Sequence, residues 1–188
     1  MSTVVAVKKD GVIAIGADSL SKFGRTKQHS EYIKNYSKIF QVGKAYIACV
    51  GDAVISHALR SYFGKRKEMP SLDHADQIFE VVCDLHKSLK EDYFLNPTDQ
   101  NDDDFESSRY ECLIASPGGI FGVYALRSVD EFTKFYSFGS GNEFALGAMK
   151  TIFPAAAAED IARAGLEAAA EFDDSTGWPF EIYTLSLS

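Results

Sequence analysis

The sequence predicts an α+β fold of four layers, an αββα sandwich in which two stacked β-sheets lie between two helical layers. Three observations carry this. Strand-like and helix-like segments follow the order strands, two helices, strands, two helices, strand, which an alternation of single strands and single helices does not produce. The first two strands, Thr3 to Val7 and Val12 to Ala17, are apolar on both faces, as strands of a sheet covered on both sides are. No linker, repeat or low-complexity tract interrupts residues 1–188, so one domain is expected.

The elements follow in order. Asp10-Gly11 between the two apolar runs is a hairpin signal, because glycine tolerates the positive φ of tight turns. Pairing across that hairpin returns Asp18 to the neighbourhood of Ser2. With Met1 removed, Ser2 carries both a hydroxyl and a free α-amine at the mouth of the hairpin. Leu20 to Tyr36 is polar and mixed, and reads as irregular chain with one extended piece. Lys38–Val42 and Ala45–Val50 read as strands around a Gly43-Lys44 turn. A helix then opens after Asp52, its N-cap, with Ile55, Ala58, Leu59 and Phe63 at helical spacing. Beyond Pro70-Ser71, Leu72, Ala75, Ile78, Phe79, Val82, Leu85, Leu89 and Tyr93 form the apolar stripe of a second helix. His74 and His86 lie off that stripe, without a second histidine at ligand spacing, and are expected in solvent. Asp102-Asp103-Asp104 lacks the EF-hand pattern and reads as a solvated loop.

Strands resume at Tyr110–Ala115 and Gly119–Tyr124 around Ser116-Pro117-Gly118, and again near Phe135–Phe138. A helix from Asn142 places Phe144, Ala148, Met149 and Ile152 inward, and Pro154 ends it. An alanine-rich helix spans about Ala156 to Phe172, its small residues suited to close packing, and Phe180 to Leu187 alternates as a closing strand.

Composition excludes several classes. A net charge of -8 argues against nucleic acid or an anionic membrane as partner. Cys49, Cys83 and Cys112 are odd in number and lack a CxxC spacing, so neither a disulfide framework nor a zinc cluster is indicated. Signal-peptide and membrane-span patterns are absent from the sequence, and a cytoplasmic protein is expected. Gly139-Ser140-Gly141 before a helix suggests a phosphate-binding turn, but the P-loop lysine and the third glycine of a dinucleotide fingerprint are missing.

Taken together, Ser2-Thr3-Val4-Val5-Ala6-Val7, Gly16-Ala17-Asp18-Ser19, Lys38-Ile39-Phe40, Val50-Gly51-Asp52-Ala53, Phe138-Gly139-Ser140-Gly141 and Asp173-Asp174-Ser175-Thr176-Gly177 resemble the proteasome β subunits and the bacterial HslV protease. These are N-terminal nucleophile hydrolases, and the resemblance runs through nearly the whole chain in one order. It implies a peptidase within an oligomeric ring or related array, a peptide or unfolded-protein substrate, an ATPase as possible partner, and no cofactor or metal.

The chemistry explains the residue types. A hydroxyl is a poor nucleophile until a base takes its proton, and an α-amine with an ordinary pKa near 8 is such a base at a mature N-terminus. The resemblance implies Ser2 as nucleophile, Lys38 as the ammonium beside its hydroxyl, and Asp18 as the carboxylate holding that lysine. It implies the Gly51 N–H as oxyanion donor. Ser140, Asp173 and Thr176 match the group that orients the amine and relays protons. Ser21, Cys49 and Ala53 match the border of the substrate pocket, a modest apolar one.

Four departures leave alternatives open. Ser2 stands where the family has threonine, whose β-methyl restricts χ1. The Asp18–Lys38 interval is about four residues longer than the family pattern on alignment, so Lys34 competes for the lysine role. Asp174 or Ser175 competes with Asp173 and Thr176 through a one-residue shift, and Asp52 puts a carboxylate beside the oxyanion glycine. With Met1 retained the amine is lacking, and the reading becomes an inactive structural or assembly subunit. An amidohydrolase or transpeptidase of the same fold is the further alternative.

Overall fold

The structure is a computed structural model and describes residues 2–97 and 104–188. Asp102 and Asp103 of the acidic run therefore lie outside the described residues. In chain order the elements begin with β1 (Thr3–Lys9), β2 (Val12–Asp18), β3 (Ser21–Phe23) and β4 (Thr26–Gln28). Next come β5 (Ile39–Val42), β6 (Ala45–Gly51), α1 (Ala53–Gly64) and α2 (Ala75–Glu91). The second half holds β7 (Tyr110–Ser116), β8 (Gly119–Val123), β9 (Val129–Phe132), β10 (Phe135–Gly139), α3 (Asn142–Ile152), α4 (Ala158–Phe172) and β11 (Phe180–Ser186).

Two large antiparallel sheets result, one in the order β10-β1-β2-β11 and one in the order β5-β6-β7-β8-β9, beside the small β3-β4 pair. Asp10 and Gly11 both take left-handed φ values, 49° and 75°, so the turn between β1 and β2 is the two-residue kind that matches strand twist. Alternation along the strands then decides which core each side chain enters. Val4, Ala6, Ile13 and Ile15 meet Ala48, Leu113 and Ile120 between the sheets. Val5, Val7 and Ala14 point the other way, against Met149, Ile161 and Leu166 of α3 and α4. Ile47, Cys49, Ile114 and Phe121 pack outward on Leu59, Ile78, Val82 and Leu85 of α1 and α2. These three apolar interfaces make the four layers αββα. At Gly16 a Cβ would lie 2.9 Å from Leu166 Cδ1, so glycine there lets α4 settle against β2.

Several local expectations are corrected. The polar stretch after Asp18 is not largely irregular: β3 and β4 pair around Gly24, whose φ of +57° makes the turn. Strand β9 was not expected from sequence, because Val129–Phe132 is short and half polar at a sheet edge. On α3 Met149 is buried and Ile152 packs partly buried against the same cluster, as expected, but Ala145 is buried too, while Phe144 is 43% exposed and lies tilted against Phe172. Phe79, assigned to the α2 stripe, is 45% exposed.

His86 is also a correction, since it is buried rather than solvated. Its Nδ1 lies 2.9 Å from the Ser108 hydroxyl and its Nε2 3.2 Å from Glu106. Burial lowers the His86 pKa from its ordinary value of 6.5, although the bond to Glu106 pushes the other way. The unfolded chain thus binds this proton more readily than the native one. Stability from neutral His86 is complete above about pH 6.5 and is lost as pH falls through the lower folded value. Urea unfolding across that range is expected to show weakening toward acid that His86→Gln flattens.

Candidate functional site

Residue 2 sits where the first sheet ends. Thr3 pairs with Gly139 across β1 and β10, and Val4 pairs with Ala17 across β1 and β2, so Ser2, Asp18 and Ser140 share one rim. Ser140 N–H donates to the Ser2 carbonyl at 3.0 Å, which pins residue 2 to the turn before α3. Ser2 is 8% exposed and borders a cleft of about 580 Å³.

Asp18 lies beneath it, 2% exposed, with both oxygens filled. Oδ1 accepts from Thr3 N–H at 3.0 Å and from Lys38 Nζ at 2.6 Å. Oδ2 accepts from the Leu20 and Gly177 N–H groups at 3.0 and 3.2 Å. Four donors and no acceptor suit a carboxylate. Lys38 also donates to the Leu20 carbonyl at 2.7 Å and forms part of the cleft wall. Burial pushes the Asp18 carboxyl up and the Lys38 ammonium down from their ordinary values, and their mutual attraction opposes both shifts. Lys34, the competing lysine, is exposed in a turn, and the bond to Asp18 is made by Lys38.

A second hydrogen-bonded chain runs behind residue 2. Asp173 Oδ2 accepts from Ser140 Oγ and from Thr176 Oγ1, each at 2.6 Å. Thr176 Oγ1 also lies 2.6 Å from Thr3 Oγ1, which accepts from the Gly141 N–H at 3.1 Å. The structure therefore brings Ser140, Asp173 and Thr176 together. Asp174 instead faces outward to Lys22, and Ser175 donates to Asp174 at 2.8 Å. Thr3 was missed in the sequence, because nothing local distinguishes its hydroxyl from any other on an apolar strand.

The cleft has Gly51, Cys49, Ser21 and Ala53 on its wall, as expected. Gly51 has a φ of +142°, and a Cβ there would come within 3.2 Å of Arg109 O, so a side chain is disfavoured on both counts. Asp52 occupies the α1 N-cap position without a side-chain cap bond and also borders the cleft. Burial pushes the Cys49 thiol up to about 12, so this sulfur stays protonated and is no rival nucleophile. The pocket is not simply apolar: Tyr36, His57 and Arg60 also line it. His57 and Arg60 follow Ala53 at helical spacing, which is the signal that would have found them. Among the described residues no group of three His, Cys, Asp or Glu is arranged to hold a metal ion, and no helix is long and apolar enough to cross a membrane.

Comparison with solved structures gives full-length likenesses. Thiobacillus denitrificans BPH is 47% identical, with 99% of this chain and 98% of that chain covered and a TM-score of 0.94. The same protein in complex with epoxomicin matches at 47% identity, 99% coverage of both chains and a TM-score of 0.93. A eukaryotic HslV from Trypanosoma brucei shares the fold at 17% identity, with 98% of this chain and 99% of that chain covered and a TM-score of 0.71. No family model and no curated protein matches the chain.

Proposed function

Because the chain belongs to the proteasome β-subunit and HslV-like family of N-terminal nucleophile hydrolases, we propose that it is a peptidase whose nucleophile is the hydroxyl of Ser2. The observation that carries this is the buried Lys38–Asp18 pair, 2.6 Å apart, whose lysine lines the cleft that Ser2 borders. Removal of Met1 frees the Ser2 amine. That amine takes the hydroxyl proton as Ser2 attacks the scissile carbonyl, while the Lys38 ammonium favours the developing alkoxide. The Gly51 N–H receives the oxyanion. The leaving amine departs with the transferred proton, and water activated by the same amine hydrolyses the acyl-enzyme. Asp173, through Ser140 and Thr176, holds the backbone around residue 2 in place.

The reading extends to an oligomeric assembly, a ring or related array, that takes peptides or unfolded protein, with an ATPase as the partner that unfolds them. The complex of BPH with epoxomicin supports the choice of probe. Intact mass of the purified chain is expected to show loss of Met1, and incubation with epoxomicin to add one inhibitor mass on Ser2. Ser2→Ala abolishes the adduct. A processed chain that never labels, or labels elsewhere, removes the peptidase reading, and a chain that keeps Met1 is an assembly subunit.

A further inference from the structure

Charge along this chain is unevenly distributed. Residues 20–60 contain seven Lys and Arg against two Asp and Glu, a net charge of +5, inside a protein of net charge -8. The rest of the chain carries twelve cationic residues against twenty-five acidic ones. That cationic segment is the one that builds the cleft: apart from Ser2, every residue lining it falls between Leu20 and Arg60. Three of that segment's seven cations, Lys22, Lys38 and Arg60, line the cleft, and a cation left uncompensated in a concave surface draws ligands of the other sign.

Within the cleft the cations are placed unequally. Lys38 is engaged by Asp18, and Lys22 pairs with Asp174 at the rim. Arg60 forms no salt bridge among the described residues. Its Nη2 donates to the carbonyls of Ser37 and Ile39, each at 2.9 Å, and its guanidinium stacks on Phe40. Carbonyl acceptors orient a guanidinium without neutralising it. Ala53, His57 and Arg60 occupy one side of α1, and His57 and Arg60 lie roughly 6 and 10 Å along the axis from Ala53. A side chain passing the small Ala53 from the Gly51 end thus runs toward His57 and Arg60. Among the described residues Asp52 is the one carboxylate on the cleft wall, and it lies at the Gly51 end.

We propose that this cleft selects peptides with an acidic side chain at the residue on the amino side of the scissile bond, read by Arg60. The proposal rests on the peptidase reading for the word scissile, but its binding half stands apart from it.

The test uses N-acetylated coumarinyl tripeptides that end in glutamate, glutamine, leucine or arginine. Glutamate against glutamine changes charge at constant shape. Wild-type kcat/KM is expected to favour glutamate by about five- to tenfold, on the scale of one oriented, partly solvated charge pair, and the ratio falls as salt rises. In Arg60→Met the ratio drops below about twofold. Taking the ratio inside each variant cancels any slowing that comes from losing the Ser37 and Ile39 contacts. Lys22→Gln, a milder change at the rim, weakens the salt dependence. Fluorescence anisotropy on Ser2→Ala with the same tripeptides reads the preference without catalysis, so a chain that fails to label with epoxomicin still decides the cleft. Preference for leucine or arginine, or an Arg60→Met ratio equal to wild type, overturns the proposal.

Discussion

Lys38→Met is expected to lose epoxomicin labelling by about a thousandfold or more and to destabilise the fold by roughly 3 kcal/mol. Both effects follow from one geometry. Among the described residues Lys38 is the only cation paired with Asp18, whose side chain is fully buried, so its removal strands a carboxylate out of water. Three backbone N–H groups still reach that carboxylate, which keeps the loss at the lower end for a broken buried pair. Asp18→Asn is expected to be worse for stability than Lys38→Met. Oδ1 faces Thr3 N–H and the ammonium, and Oδ2 faces two backbone N–H groups, so an amide NH2 meets donors in either orientation. Urea midpoints rank the two variants, and labelling rates separate activity from folding. Lys34→Met, at the exposed site, is expected to keep both. Full labelling in Lys38→Met would return the role to Lys34.

Gly139→Ala is expected to slow labelling by about a hundredfold while leaving the helices and the two large sheets in place. The Gly139 φ of +105° is one that a side chain rarely adopts, and a Cβ there would fall 1.7 Å from the Ser2 carbonyl oxygen. That overlap cannot be relieved by a rotamer, because the obstacle is backbone. Residue 2 must shift, and with it goes the carbonyl that accepts from Ser140 N–H. A displacement of about 1 Å at a reacting group costs on the order of a hundredfold in rate. The readout is labelling rate together with circular dichroism: a native spectrum with labelling about a hundredfold slower is the expected pair. An adduct at the wild-type rate would mean that residue 2 is not held by this turn.

Much of this architecture was legible in the residues. The β1–β2 hairpin follows from Asp10-Gly11 between two apolar runs, and the approach of Asp18 to residue 2 follows from pairing alone. The α2 stripe, with Ile78, Val82, Leu85 and Leu89 buried, follows from helical period. The failures came where a half-polar pattern carries little signal, as in β9, or where an apolar helix has two plausible inner faces, as in α3. His86 failed for another reason: its partners, Ser108 and Glu106, lie about twenty residues away.

By itself the sequence determined the four-layer order and the return of Asp18 to residue 2, because hydrophobic period and turn chemistry are local properties. Resemblance supplied the roles. Tertiary structure alone decided between Lys38 and Lys34 as the neighbour of Asp18, and between Asp173 and Asp174 as the neighbour of Ser140. It also joined Thr3 to Thr176, 173 residues apart, and set Arg60 in the cleft. Such contacts depend on how sheets and helices stack, and a one-residue shift along a strand or loop reverses which side chain faces the site.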